Sequence, residues 1–257
     1  MMTMKKSISA WAFLFVFVWC SSAWAAPAHV QSPTPVTASS GTTIAIPFAS
    51  NVTAGSLLVC YIYANHGIST VADSRSQTFS SAVNVTDNAT FSLAIFYFAN
   101  TTAGADTVTV TFVGAITYAS LQCSEYSGVA TSSPLDKFAS NSQTDPGTGV
   151  NAVTSGSVTT VTDGQLIVGW STALIVGTET ISAGTGFSGR TNVFGDTLHE
   201  DQVQSTAGAI AATFTNLGAQ SLLGGNEIFW HAPSLIVCHT SRRASLGWWT
   251  WPPSFRL

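Results

Sequence analysis

Thr53-Ala-Gly-Ser-Leu-Leu-Val-Cys-Tyr-Ile-Tyr-Ala64 and Thr162-Asp-Gly-Gln-Leu-Ile-Val-Gly-Trp-Ser-Thr-Ala173 follow one pattern, T-x-G-x-L-[LI]-V-x-aromatic-x-x-A, 109 residues apart. Each places a glycine turn before a run of branched and aromatic residues, the make-up of a strand. Leu57, Val59 and Tyr61 correspond to Leu166, Val168 and Trp170. Each trio has one parity, so it lies on one face of a sheet. Leu58, Cys60 and Ile62 make the opposite face apolar too, as expected of a central strand covered on both sides.

Further matches keep the same order. Thr102-Ala-Gly-Ala105 leads to Thr111-Phe112, and Thr206-Ala-Gly-Ala209 leads to Thr213-Phe214, with Phe79-Ser80 and Phe187-Ser188 between them. The chain therefore reads as two related halves, about 36–128 and 150–232. So long a period belongs to a duplicated half-domain rather than a solenoid. Ile44, Ile46 and Phe48, and Val108, Val110 and Phe112, alternate with polar or small residues, as in strands with one wet face. More strands are expected over 77–83, 90–98, 118–126, 156–161, 187–193, 198–203 and 209–214. Asp145-Pro-Gly, Asp163-Gly and Gly184-Thr-Gly mark turns. A dozen short strands without an amphipathic helix predict an all-β fold, an antiparallel β-sandwich of jelly-roll type. One sandwich built from both halves is expected in preference to two in tandem.

Composition agrees. The 257 residues are 46% hydrophobic but only 8% charged, against about 25% charged in ordinary domains. Such a chain is neither disordered nor helix-rich, since the charged residues that cover helices are scarce. Lys5 and Lys6, an apolar run from Ile8 to Cys20 and Ala23-Trp-Ala25 form a signal peptide, residues 1–25, cleaved after Ala25. The run is shorter than the ~20 residues a membrane span needs, so the product is expected outside the cytoplasm with no transmembrane segment. Residues 26–232 carry twelve acids against Arg75, Lys137 and Arg190, a formal charge of −9. That charge repels a phosphate backbone, which argues against nucleic acid as a partner.

No CxxC pair exists, so zinc-ribbon and thioredoxin chemistry are not indicated. Cys60 and Cys123 each sit in an apolar strand. They either pair in an oxidising compartment or remain two buried thiols.

Gly184-Thr-Gly-Phe-Ser-Gly189 satisfies G-x-G-x-x-G, but no helix follows to hold a pyrophosphate, so it reads as a turn. A glycosidase needs two carboxylates flanking the scissile bond. No acids here have the i, i+2 spacing that shares a strand face, and Glu200 and Asp201 are adjacent and point oppositely. Glu125 has the parity of Leu121 and Cys123, which predicts burial and backbone donors from the 127–136 segment. His199, Glu200 and Asp201, with Glu125, are the candidate ligand-binding set. A structural Ca²⁺ would suit these acids, but no EF-hand spacing or HExxH is present.

Glu125-Tyr-Ser-Gly-Val-Ala-Thr-Ser-Ser-Pro-Leu-Asp136, Ala183-Gly-Thr-Gly-Phe187 with Arg190, and Glu200-Asp-Gln202 are distinctive segments. In this order, over roughly residues 30–215, they resemble a group of secreted bacterial β-sandwich proteins of unassigned function. The resemblance implies a cell-surface or extracellular module, often beside Ig-like or carbohydrate-associated domains, and carries no catalytic assignment. The group closes on a strand with a Trp and a final Phe. Here residues 233–257 depart from that pattern, with three arginines, no acid, and Trp248, Trp249 and Trp251 beside Pro252-Pro253. That abrupt shift reads as a shifted frame or degraded terminus, open to disorder, ahead of a tail that touches sugar or membrane.

The expectation is a secreted, non-enzymatic β-sandwich that binds a polysaccharide or another cell-surface component. One alternative is an extracellular glycoside-acting enzyme using Glu125 with Glu200 or Asp201. The other is a structural or adhesin module.

Overall fold

The computed structural model describes residues 25–87, 91–142, 150–173, 180–193, 197–217, 222–230 and 235–241. Twenty strands and no helix occur among them. The first nine are β1 (Ala28–Gln31), β2 (Val36–Ala38), β3 (Thr43–Pro47), β4 (Leu57–Ala64), β5 (Ile68–Asp73), β6 (Ser80–Asp87), β7 (Phe91–Ala99), β8 (Thr107–Phe112) and β9 (Ala119–Ser127). Next come β10 (Leu135–Ser142), β11 (Val150–Thr154), β12 (Val158–Thr159), β13 (Gln165–Ala173), β14 (Thr180–Ala183) and β15 (Ser188–Val193). The last are β16 (Thr197–Gln204), β17 (Ala209–Ile210), β18 (Thr213–Leu217), β19 (Leu222–Trp230) and β20 (Leu235–Ser241).

They form two large sheets and three small ones. The first large sheet runs β1-β9-β4-β7-β6, with β2 continuing along β9, and the second runs β10-β19-β20-β13-β16-β15. The small sheets are β3-β8-β5, β11-β18-β14 and β12-β17. Pairing is antiparallel except along β20, which lies parallel to β10 and β13. Residues 235–241, which begin the expected tail, are this strand; residues 242–257 lie outside the described residues.

The two quoted segments become β4 and β13, and their periodicity decides the layering. Leu58, Cys60, Ile62 and Ala64 pack with Ile44, Ile46, Val71, Val108, Val110 and Phe112 of the sheet β3-β8-β5. Leu57, Val59, Tyr61 and Tyr63 join Leu166, Val168 and Trp170 in a second cluster. The matched faces of the matched strands thus meet each other, and each fully buried aliphatic side chain there contributes ~1.5–3 kcal/mol. Behind β13, Leu198 packs with Val153, Ile181, Ala212 and Phe214, closing the far side. The result is a four-layer stack in which the two large sheets are the inner pair.

Connectivity recurs along the chain. Order β4-β7-β6 reappears as β13-β16-β15, and β3-β8-β5 reappears as β11-β18-β14. At the centre of the first sheet Cys60 lies directly opposite Cys123, and a disulfide joins them with Cα atoms 4.1 Å apart. The outermost faces carry hydroxyls and no charge. Thr43, Thr111 and Thr70 align across one small sheet, as do Ala45, Thr109 and Ala72. Ala152, Thr215 and Ser182 align across the other, beside the Thr154–Thr213 pair. All of these residues are exposed or half-buried.

Candidate functional site

Strand alternation sends β9 in two directions. Leu121 and Cys123 enter the cluster under the outer sheet, whereas Tyr126 enters the cluster between the large sheets. Gln122 and Ser124 share the parity of Tyr126 and so face the second sheet. On β16 the same rule turns Leu198 outward and Thr197, His199 and Asp201 toward β9. Two rows of three polar side chains therefore meet inside a layer that is otherwise apolar.

They bond in register. Gln122 Nε2 donates to Thr197 Oγ1 at 2.7 Å, Ser124 Oγ lies 2.7 Å from His199 Nε2, and Tyr126 OH donates to Asp201 Oδ2 at 3.0 Å. His199 Nδ1 sits 3.0 Å from Gln122 Oε1, and Ser32 Oγ lies 2.7 Å from both Ser124 Oγ and His29 Nε2. One proton assignment serves the whole chain. His29 donates to Ser32, Ser32 to Ser124, Ser124 to His199 Nε2, and His199 Nδ1–H to Gln122. The row runs from half-buried His29 to Ser124 and His199, both 0% exposed.

The imidazole stays neutral. Burial, then the charges of His29 and Arg190, push the pKa of His199 well down, and its ring stacks on Tyr61 with centroids 4.5 Å apart. Ser124 and His199 have the spacing of a nucleophile–base pair. The third partner is a neutral amide, and neither residue meets solvent, so the pair is built as a hydrogen bond within a core.

Asp201 ends the row. Arg190 Nε and Nη2 clamp its carboxylate, both at 2.6 Å, a planar two-point pairing. That bond to Asp201 raises the Arg190 pKa. Burial raises the hydroxyls of Tyr61 and Tyr126 well above the usual phenol range, with the Asp201 charge adding to it. His29 packs edge-on against Tyr126, and burial lowers its pKa.

The candidate acids do not converge. Glu125 points under the first outer sheet, where Gln31 Nε2 donates at 2.7 Å and the Thr53 backbone N–H at 2.8 Å. Its donors come from these two residues and not from the 127–136 segment. Glu200 points the opposite way, under the second outer sheet, and accepts the Gly184 and Thr213 N–H groups at 2.8 and 3.3 Å. Burial pushes its pKa well up despite those bonds. Room for it comes from Gly169, where an added Cβ would lie 3.0 Å from Glu200 Oε1 and 2.7 Å from Ala212 Cβ. Glu125 and Glu200 thus sit behind different sheets, and His199 and Asp201 lie between them. The G-x-G-x-x-G segment is the turn from β14 to β15, with Phe187 N–H donating to Gly184 O at 3.0 Å.

Among the described residues no three His, Cys, Asp or Glu side chains are grouped to hold a metal ion. The sequence reading passed over Gln122, Ser124, Tyr126 and Thr197. Their signal is a polar residue at every second position of an otherwise apolar strand, repeated at 197, 199 and 201. No protein-family model, no curated protein and no solved structure matches this chain.

Proposed function

We propose that this chain is exported and acts outside the cell as a non-catalytic module that binds a neutral polysaccharide. The observation that carries the reading is where charge goes. Glu125, Glu200 and Asp201 are buried and bonded to protein donors. The outward sheet faces offer rows of threonine, serine and alanine. Hydroxyls on a flat pleated face can exchange hydrogen bonds with sugar hydroxyls, and methyl groups beside them can cover sugar C–H surface without stripping water from an ion. A glycosidase pair facing one bond has no support in this arrangement.

The leader segment and the resemblance to secreted β-sandwich proteins support export, and a disulfide suits an oxidising compartment. The recurring strand order supports descent of the two halves from one duplicated unit.

The test is retention of the mature full-length chain on a panel of insoluble and soluble polysaccharides, with reducing ends assayed in parallel. Retention without sugar release, lost in Thr109→Glu combined with Thr215→Glu, is the expected result. Sugar release that disappears in Glu125→Gln makes the protein an enzyme. Neither retention nor release on any polymer leaves a structural or adhesin role.

A further inference from the structure

We propose that a hard divalent cation of the calcium class binds between Asp73, Asp106 and Gln77, at the end of β5 and the entry to β8. The argument starts from three oxygens. Asp73 and Asp106 are 8% and 4% exposed. Oδ2 of each, and Oε1 of neighbouring Gln77, are buried without a hydrogen-bond donor among the described residues. A buried carboxylate oxygen that meets no donor is costly, and three acceptors occur here within one turn and the strand beside it.

The rest of each side chain is fixed, which aims the free oxygens. Asp73 Oδ1 accepts the N–H groups of Arg75 and Gln77 at 2.9 and 2.7 Å. Asp106 Oδ1 accepts from Ser74 Oγ at 2.8 Å and Thr107 N at 2.7 Å. Gln77 Nε2 reaches Thr102 Oγ1 at 3.3 Å, which turns the carbonyl end of the amide inward. The donors present are all oxygens, as calcium prefers, and water can complete the shell.

Arg75 is the cation already there, and it does not serve this place. Its guanidinium donates to Thr102 O at 2.9 Å and Ala105 O at 2.6 Å, and it comes no nearer than 3.3 Å to Asp106 Oδ2. Two carboxylates against one guanidinium leave a net negative charge. A proton shared by Asp73 and Asp106 would serve two of the three oxygens and leave Gln77 Oε1 unpaired, whereas a cation serves all three. Burial, with the Asp106 carboxylate beside it, raises the Asp73 carboxyl above its ordinary range, a cost that a bound cation would offset. This inference is independent of the polysaccharide reading.

The experiment uses the full mature chain, stripped with chelator, in calorimetric titrations with calcium and with magnesium, and in thermal melts with and without calcium. One calcium ion per chain is expected, with Tm raised by roughly 5–10 °C at a hundredfold excess over Kd. Asp73→Asn and Asp106→Asn should each abolish both signals, while Asp163→Asn, which lies in a separate turn, keeps them. Calcium binding that survives in both variants overturns the site. Absence of binding in the parent chain overturns it without any variant, and a higher Tm for Asp73→Asn at neutral pH would then assign the pair a shared proton.

Discussion

His199 and Glu200 are adjacent on β16, point into different layers, and are buried with opposite electrostatic consequences. The pKa of His199 lies well below its ordinary 6.5, and that of Glu200 lies well above its ordinary 4.5. For His199 the unfolded chain takes up a proton that the folded chain refuses. Its contribution to stability is therefore present above pH 6.5 and is lost as pH falls below it. For Glu200 the folded chain keeps a proton that the unfolded chain gives up, so its contribution is present below pH 4.5 and is lost as pH rises above it. Between pH 5 and 6 the slopes oppose, each amounting to about 1 kcal/mol over that unit. The parent protein should then show a nearly level Tm across this window. His199→Gln leaves the Glu200 slope alone, so Tm should fall on going from pH 5 to 6 by about 2–4 °C. Glu200→Gln leaves the His199 slope, so Tm should rise over the same interval by about as much. Asp73 and His29 add small slopes of the two signs, common to all three proteins. Scanning calorimetry at fixed ionic strength reads the result. Parallel pH profiles for the parent and both variants would refute the reasoning, because they would mean that neither group changes protonation on unfolding.

Two more perturbations follow from the geometry. The Cys60–Cys123 bridge closes a loop with a sequence separation of 63 residues, for which the chain-entropy model gives about 4 kcal/mol. Denaturant melts with and without reductant should show a loss of that order, and alkylation of the denatured, unreduced mature chain should label Cys238 alone; labelling of three cysteines would remove the bridge. Gly169→Ala forces a Cβ against Ala212 and Glu200, an overpacking that costs about 1–3 kcal/mol in chemical denaturation. Ala212→Gly in the same chain should recover part of that loss, and an unchanged midpoint for Gly169→Ala alone would count against the buried position of Glu200.

Fold class was legible because β4 and β13 are written twice. Glycine, then an apolar stretch of fixed parity, demands a strand covered on both faces, and both strands are so covered. The layering was not legible, because parity says which residues share a face and not what that face meets. Sheets are chosen by long-range pairing, and the same apolar trio would suit one sandwich or two stacked back to back. Short strands such as β12 and β17 carry too few residues for any period. Among the site residues, burial of Glu125 followed from its parity with Cys123. Its partners, Gln31 and Thr53, come from far along the chain. His199, Glu200 and Asp201 were noticed as a run of ionisable residues, which conceals that a strand deals them to alternate layers.

The polar rows also explain why the two large sheets meet in one arrangement. An interface made only of Leu, Val and aromatic side chains is non-directional, and sliding one sheet by two residues, about 7 Å, would bury nearly the same area. Gln122, Ser124 and Tyr126 remove that degeneracy. In the observed register each meets a partner of matching capacity: an amide with a hydroxyl, a hydroxyl with an imidazole, a phenol with a carboxylate. After a two-residue slide Ser124 would face Thr197 or Asp201, and His199 would lose the donor to its Nε2 or the acceptor for its Nδ1–H. Each buried group left unpaired costs about 1–3 kcal/mol, so a slide that strands two or three of them forfeits a large part of a stability of about 5–15 kcal/mol. The row of polar residues that resembles catalytic machinery in composition thus acts as the register key between the layers, and it holds the hydroxyl-bearing outer faces at a fixed separation on either side of the molecule.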